Sequence, residues 1–125
     1  MLFRSRFGGG RCNAITKDEI VELMTIDGGE VLRYKPFKVD VAVIRGTHAD
    51  DLGNISASEE PADLDIYAIA LAAKNSGGIV IAQVREVVQA GRLRPREVSV
   101  PGKLVDYILV DPDQPQTYQI GRAHV

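Results

Sequence analysis

Cysteine, tryptophan and long apolar runs are scarce or missing in this chain, and each shortage closes off a class of protein. Cys12 is the single cysteine among 125 residues. One thiol forms no internal disulfide and supplies no metal-binding cluster, so a reducing, cytoplasmic setting is expected. Tryptophan is absent and aromatics make up 6% of the chain, with no aromatic and basic interleaving of the kind that stacks nucleotide bases. A formal net charge of -2 gives no positive footprint for nucleic acid. No apolar run approaches the roughly 20 residues that span a bilayer. The opening MLFRSRF is too short and too charged for a secretory signal. What is present, 45% hydrophobic and 26% charged residues, suits a globular domain of ordinary size, which at this length buries roughly two-thirds of its unfolded surface.

The two ends read differently from the interior. Residues 1–5 (MLFRS) and 120–125 (IGRAHV) look like translated sequencing adapter and are set aside, leaving residues 6–119 as part of one α/β domain. Thr16-Lys17-Asp18-Glu19 forms a capping box, and Ile20, Leu23 and Met24 follow at helical spacing, which predicts a short helix over 17–24. Asp27-Gly28-Gly29 between the apolar runs 23–26 and 31–34 is a hairpin signal, and Pro36 closes the second run.

Val39 to Ile44 (VDVAVI) is almost wholly apolar and β-branched, as in a strand buried on both faces. Gly46 to Gly53 reads as a polar loop, and Asn54 to Ala57 as a short strand. Ser58 then caps a predicted helix with Glu59, Glu60 and Pro61 in its first turn. Leu64, Tyr67, Ala68, Leu71 and Ala72 form its apolar stripe, and Asn75-Ser76-Gly77-Gly78 ends it. Ile79 to Val84 (IVIAQV) and Val105 to Val110 (VDYILV) are further strands, so strand, helix and strand make a parallel βαβ unit. Val98 to Val100 reads as an edge strand between Pro95 and Pro101, and 111–116 as an exposed loop. Phe37, Tyr67 and Tyr107 read as core or half-buried aromatics. The fold class is therefore α/β: an open, mostly parallel sheet flanked by helices, with an N-terminal helix and β-hairpin.

Candidate chemistry is sparse. Gly8-Gly9-Gly10-Arg11 lacks both the Gly-Lys-Ser/Thr ending of a P-loop and the spacing of a dinucleotide loop, and reads as a turn. Glu59 and Glu60 point about 100° apart if helical, so they form no shared acid–base pair and serve the helix end instead. Ligands of open α/β sheets collect at the carboxyl ends of strands, which marks Gly46, Thr47, Asp50 and Asn54 as substrate-binding candidates, with His48 beside them. Arg92, Arg94 and Arg96 could meet phosphates but read as a solvated face. His124 falls in the adapter-like tail. No metal ligand set is present.

The interior resembles the first half of class I coenzyme A transferases, in the branch acting on acetate or propionate. The resemblance runs from Gly8 to about Pro112 and is carried by VDVAVIRGTHADDLGNIS, AAKNSGG, IVIAQVREVV and VSVPGKLVDYILV. Cys12 departs from the family, which has an apolar residue there. The resemblance implies two related α/β halves, fused or on separate subunits, with this chain as the later part of the first. It implies transfer of coenzyme A between an acyl-CoA and a short-chain carboxylic acid by a ping-pong route through a glutamyl-CoA thioester. The thioester is a substrate, and no prosthetic group is needed. The partners implied are those substrates and the remainder of its own chain or a beta-like half, in a homo-oligomer when full length, with no nucleic acid and no membrane. The nucleophilic glutamate belongs to the second half, so no residue here is expected to be catalytic and the chain alone is expected to be inactive. A non-catalytic ligand-binding, regulatory or scaffold module remains the alternative, because fold does not dictate function.

Overall fold

The computed structural model describes residues 2–3 and 21–115, and the chain divides into two compact units, residues 1–37 and 38–125. The first unit is an antiparallel sheet of β1 (Leu2–Phe3), β2 (Val21–Ile26) and β3 (Gly29–Tyr34) in the order β1-β3-β2. Ile26 pairs with Gly29, leaving Asp27-Gly28 as a two-residue turn with positive φ at both positions, 50° and 76°. That is the I′ geometry whose twist matches the strands it joins, so the hairpin forms where its turn signal stands. The helix expected over 17–24 does not form across Val21–Met24, which lies in β2; residues 17–20 fall outside those described. Leu23 faces Leu32 across the ladder and Glu22 pairs with Arg33 at 2.7 Å, so cross-strand pairing overrides a pattern that also fitted a helix.

In the second unit, β4 (Val41–Arg45) and β7 (Ile79–Val84) are parallel, and β10 (Tyr107–Val110) adds to the other side of β7. The βαβ unit is thus present, with α1 (Ile66–Asn75) as its crossover. A second sheet holds β8 (Glu86–Val88), β5 (His48–Asp50), β6 (Ile55–Ser56) and β9 (Val98–Val100) in that order, with β9 at its edge as expected. The predicted polar loop 46–53 therefore contains a strand. Its ladder continues the first one: Arg45 pairs with Gln83 and, three residues on along both segments, His48 pairs with Glu86. Between them the Gly46 N–H donates to the Gln83 carbonyl at 2.9 Å and the Arg85 N–H to the Thr47 carbonyl at 3.0 Å. One parallel pair bends at Gly46 and serves two sheets.

The core lies under α1 and comprises Ala42, Ile44, Ala49, Ile55, Ala70, Ala73, Val80, Ala82, Val84 and Val100. Alanines on both sides of the contact bring the helix close to the strands. The helix begins at Ile66, not near Ser58. Asp65, its N-cap, sits in the left-handed region at φ 49°, a conformation aspartate tolerates better than most residues. Its buried face is Ile66, Ala70 and Ala73, while Leu64 and Tyr67 are exposed. The period expected was right and the phase wrong, because the stripe was anchored on a first turn that is not helical. The end is as expected: the Gly78 N–H reaches the Ala73 carbonyl at 2.8 Å and the Gly77 N–H reaches Lys74 at 3.1 Å, a Schellman closure.

Three further expectations are corrected. Val41 and Val43 are exposed, the latter at 71%, so β4 is buried on one face only. Alternate residues of a strand face opposite sides, and among the described residues α1 covers the side of Ala42 and Ile44. Phe37, Tyr67 and Tyr107 are also exposed; Tyr107 pairs in register with Ile81 on the same open face. The segment 111–115 is not wholly exposed, because Gln114 is buried; Gln116 lies outside the described residues.

Asp106 ties the crossover together. Its carboxylate accepts from the Val80 N–H at 2.7 Å and pairs with Lys74, while its own N–H donates to the Val80 carbonyl at 2.9 Å. The Lys74 ammonium, then the Val80 N–H, hold its carboxyl below the usual carboxylate range. A carboxyl lowered on folding stabilises the fold above its ordinary value of about 3.9 and loses that contribution as pH falls through the folded value. Asp106→Ala is expected to lower Tm at pH 7, with the difference from the parent shrinking as pH is brought down to about 3; an undiminished difference would show the carboxylate's charge to be irrelevant. Among the described residues the edges of the parallel sheet are β4 and β10, and bare apolar edges promote association. Gel filtration of the chain should show concentration-dependent species larger than a monomer; a sharp monomer peak at all concentrations would refute this.

Candidate functional site

The residues singled out at the strand end form one cluster, and backbone close approach explains why. A β-carbon on Gly46 would lie 2.3 Å from Ile55 Cγ2 and 2.8 Å from the Ser56 carbonyl. Only glycine lets β4 turn there against β6. Thr47 is fully buried; its N–H donates to the Ser56 carbonyl at 2.6 Å and its Oγ1 accepts the Glu59 N–H at 2.9 Å. Thr47 therefore fastens the turn 57–60 across the exit of the strand.

Asp50 is buried at 4% exposure. Its Oδ1 accepts the N–H groups of Leu52 at 3.0 Å and Asn54 at 2.9 Å, and its Oδ2 accepts the Asn54 carboxamide at 2.8 Å. Burial pushes its carboxyl up, but the Asn54 side chain and the Asn54 and Leu52 N–H groups outweigh that and hold it below the usual range. Asn54 Oδ1 accepts the Gly102 N–H at 2.9 Å. The structure thus brings Asp50 and Asn54 together and engages both in holding the 50–54 turn against 101–104.

Above this scaffold lies a rim of charge. Arg45, the last residue of β4, pairs with Glu60 at 3.2 Å, and Arg85, just after β7, pairs with Glu59 at 2.9 Å. The two glutamates are thus arginine partners and not the first turn of a helix, which corrects the expectation for them. His48 Nε2 lies 3.2 Å from Glu86 Oε1 and 3.4 Å from Arg85 Nη2. A single ring nitrogen either donates to Glu86 or accepts from Arg85, so the proton's position decides which neighbour His48 holds. Gln114, buried at 3%, bridges the two strands: Gln83 Nε2 donates to its Oε1 at 2.9 Å and its Nε2 donates to the Gly46 carbonyl at 2.8 Å.

Arg45, Gln83, Arg85, Glu86 and Gln114 were missed in the sequence. One signal was available for the arginines: VAVIR and IVIAQVR are largely apolar runs that each end on arginine, Arg85 lying two residues past the register partner of Arg45. The isolated Gln114 gave none. Arg92, Arg94 and Arg96 are exposed; of these, Arg96 lines a separate open cleft of about 460 Å³ together with Asp63, Asp65, Tyr67 and Ser99. Residues 8–12 and His124 lie outside the described residues. Among the described residues no three His, Cys, Asp or Glu side chains converge as a metal site would require, and no helix is long and apolar enough to cross a membrane.

Gly102 is the tightest point of the scaffold. An added β-carbon would sit 2.1 Å from the Leu52 carbonyl oxygen and 2.9 Å from the Gly53 carbonyl carbon, both backbone. Gly102→Ala is expected to destabilise the unit by about 2 kcal/mol through overpacking, read as a lower urea midpoint with Lys103→Ala as the neutral neighbour; an unchanged midpoint would show that the two loops separate freely.

Comparison with known proteins places this arrangement. The family described as Coenzyme A transferase matches residues 9–111. Caffeate CoA-transferase of Acetobacterium woodii is 46% identical over 114 residues, 91% of this chain and 22% of that protein. Acetate CoA-transferase YdiF of Escherichia coli (strain K12) is 43% identical over 110 residues, 88% of this chain and 21% of that one. The crystal structure of YdiF from E. coli O157:H7 as a thioester complex with CoA superposes with a TM-score of 0.81 at 38% identity, covering 94% of this chain and 25% of that chain. The chain spans about a fifth of the length of these curated relatives. With a mixed α/β fold shared across nearly its whole length and the family matched over residues 9–111, the chain belongs to the coenzyme A transferase family.

Proposed function

We propose that the full-length protein moves coenzyme A between an acyl-CoA and a short-chain carboxylic acid, with acetate and propionate as the acids to try first. The observation that supports this most is the family match over residues 9–111 together with 43–46% identity to relatives named as acetate and caffeate CoA-transferases. The route is ping-pong. A glutamate carboxylate bonds to the thioester carbonyl carbon, the C–S bond breaks, and coenzyme A leaves as thiolate. The thiolate then attacks the glutamyl carbonyl of the anhydride, the first acid leaves as its carboxylate, and a glutamyl-CoA thioester remains. The second acid runs both steps in reverse. Carboxylate is a weak nucleophile, so the design needs covalent catalysis and oriented hydrogen-bond donors for the developing oxyanion. Binding of the distant nucleotide and pantetheine can be spent on the reacting carbon.

No residue of this chain is assigned as the nucleophile. Glu59 and Glu60 are adjacent carboxylates at the strand end, but each is held in an ion pair with an arginine. The glutamate comes from a second α/β half, either later in the same polypeptide or on a beta-like subunit. The coenzyme A thioester is a substrate and no prosthetic group takes part; the whole protein works in the cytoplasm as a homo-oligomer. The part assigned to Gly46, Thr47, Asp50 and Asn54 is to build the wall of the substrate site. Gly46 permits the close backbone approach, the side chains of Thr47, Asp50 and Asn54 fix the turns 50–54 and 57–60, and the groups presented beyond them are those of Arg45, His48, Arg85 and Glu86.

Purified chain supplied with acetyl-CoA and propionate is expected to form no propionyl-CoA above the protein-free rate. A reading frame extended through a second α/β half should turn over, and should lose at least about a thousandfold in kcat when the glutamate of its glycine-rich turn is replaced by alanine. Turnover by the 125-residue chain alone would overthrow the assignment of the nucleophile elsewhere.

A further inference from the structure

Residues 111–115 cross the point where β4 and β7 leave the parallel sheet, and they are held there by polar bonds. The Asp111 N–H donates to the Val84 carbonyl at 2.8 Å. Gln114 bridges Gln83 and the Gly46 carbonyl, and the Arg45 guanidinium donates to the Pro115 carbonyl. Within the segment, the Gln114 N–H closes on the Asp111 carbonyl at 3.1 Å. Pro112, Asp113 and Pro115 are exposed, Asp111 is half-buried, and Gln114 alone is buried. No apolar side chain of the segment enters the core. A segment held by a few polar bonds with no apolar burial opens far more readily than the strands beneath it.

Opening it would uncover a defined set of groups: the Gly46 carbonyl as acceptor, Gln83 Nε2 as donor, and the Arg45 guanidinium. In the closed state the first two are satisfied by the two ends of one carboxamide, that of Gln114. Buried polar groups left unpaired are costly, so a ligand that takes the place of Gln114 must bring both a C=O and an N–H. The pantetheine arm of coenzyme A carries two amides of that kind. We propose that residues 111–115 are a strap over the strand-end site, and that the Gln114 carboxamide holds the place of a pantetheine amide until the ligand displaces it. The identity of the ligand rests on the transferase reading; the strap rests on the geometry alone.

The test is a titration of nitrogen-15-labelled chain with pantetheine, following the side-chain amide signals of Gln83 and Gln114. Millimolar pantetheine is expected to move both, with Gln114 shifting toward the position of a solvent-exposed glutamine. Gln114→Ala removes the competitor and should bind pantetheine roughly threefold to tenfold more tightly. Gln83→Ala also loosens the strap but takes away the donor the ligand needs, so it should bind more weakly than the parent. A mere loss of stability would move both variants the same way. Signals that do not move in the parent chain overturn the proposal without recourse to any variant, and so does Gln114→Ala binding no better than the parent. A small diamide such as N-acetyl-β-alanine methylamide separates the two readings. If it displaces Gln114 while the extended protein shows no transferase activity, the strap stands and the transferase reading falls; if the extended protein is active and Gln114 stays in place, the strap falls alone.

Discussion

At Gly46 the backbone of β4 passes so close to β6 that the Ile55 methyl and the Ser56 carbonyl occupy the space a β-carbon would need, and the parallel strand pair bends there with the Gly46 and Arg85 N–H groups still bonded across it. The bend is what turns one ladder into two sheets. It hands β4 on to β5 and β7 on to β8 at equal intervals, so both partners turn together and neither leaves an unpaired amide behind, which a buried strand could not tolerate. Everything at the candidate site is referred to this point. Thr47 lies just past it and secures the 57–60 turn, Arg45 lies just before it, Arg85 lies opposite, and Gln114 closes on the Gly46 carbonyl itself. A larger residue at position 46 would move all four at once.

The charges at this rim are arranged for position more than for attraction. Arg45 and Arg85 are each offset by a glutamate from the same turn, and Glu86 balances the side of His48. Such half-exposed pairs contribute little to stability. What they do contribute is direction: two planar guanidinium groups, each oriented by a carboxylate, stand over the ends of two neighbouring parallel strands. Beneath them, the buried Asp50 and the partly buried Asn54 are bonded to each other and to backbone amides. The rigid layer therefore lies inside and the exchangeable partners lie outside, the order that a site built on a scaffold needs.

Much of the fold was legible because its signals were local. Asp27-Gly28 specified its own turn, Ser76-Gly77-Gly78 its own helix end, and VDVAVI and IVIAQV their strands. The failures share a cause in tertiary pairing. Ser58, Glu59, Glu60 and Pro61 have the composition of a helix start, but the Glu59 N–H is claimed by Thr47 and both carboxylates are claimed by arginines from distant strands. Val21 to Met24 fit a helical period and were drawn into a strand by β3. At the site, Gly46, Thr47, Asp50 and Asn54 could be named from their place after a strand, since the rule for open sheets is topological. The roles of Arg45, Arg85 and Gln114 depend on partners 15 to 70 residues away in the chain, and no single window of sequence contains that.

The open face of the parallel sheet adds a constraint of a different kind. Val41, Val43, Ile79, Tyr107 and Leu109 are all exposed on the side away from α1, and the register places them side by side across three strands. Strands that are solvated on one face normally alternate apolar with polar residues, whereas strands of parallel sheets, covered on both faces, read as continuous apolar runs. VAVI and IVIA are of the second kind. Their composition was therefore matched to cover that the described residues do not themselves provide, and a chain spanning about a fifth of its relatives' length is consistent with cover coming from additional polypeptide. The same reasoning explains why α1 alone suffices for its own side: alanines at 42, 70, 73 and 82 let helix and sheet approach closely enough to bury Val80 and Ile44 completely or nearly so. Among the described residues the sheet thus has one face covered by α1 and one open apolar face, and the polar rim sits at the strand ends between them.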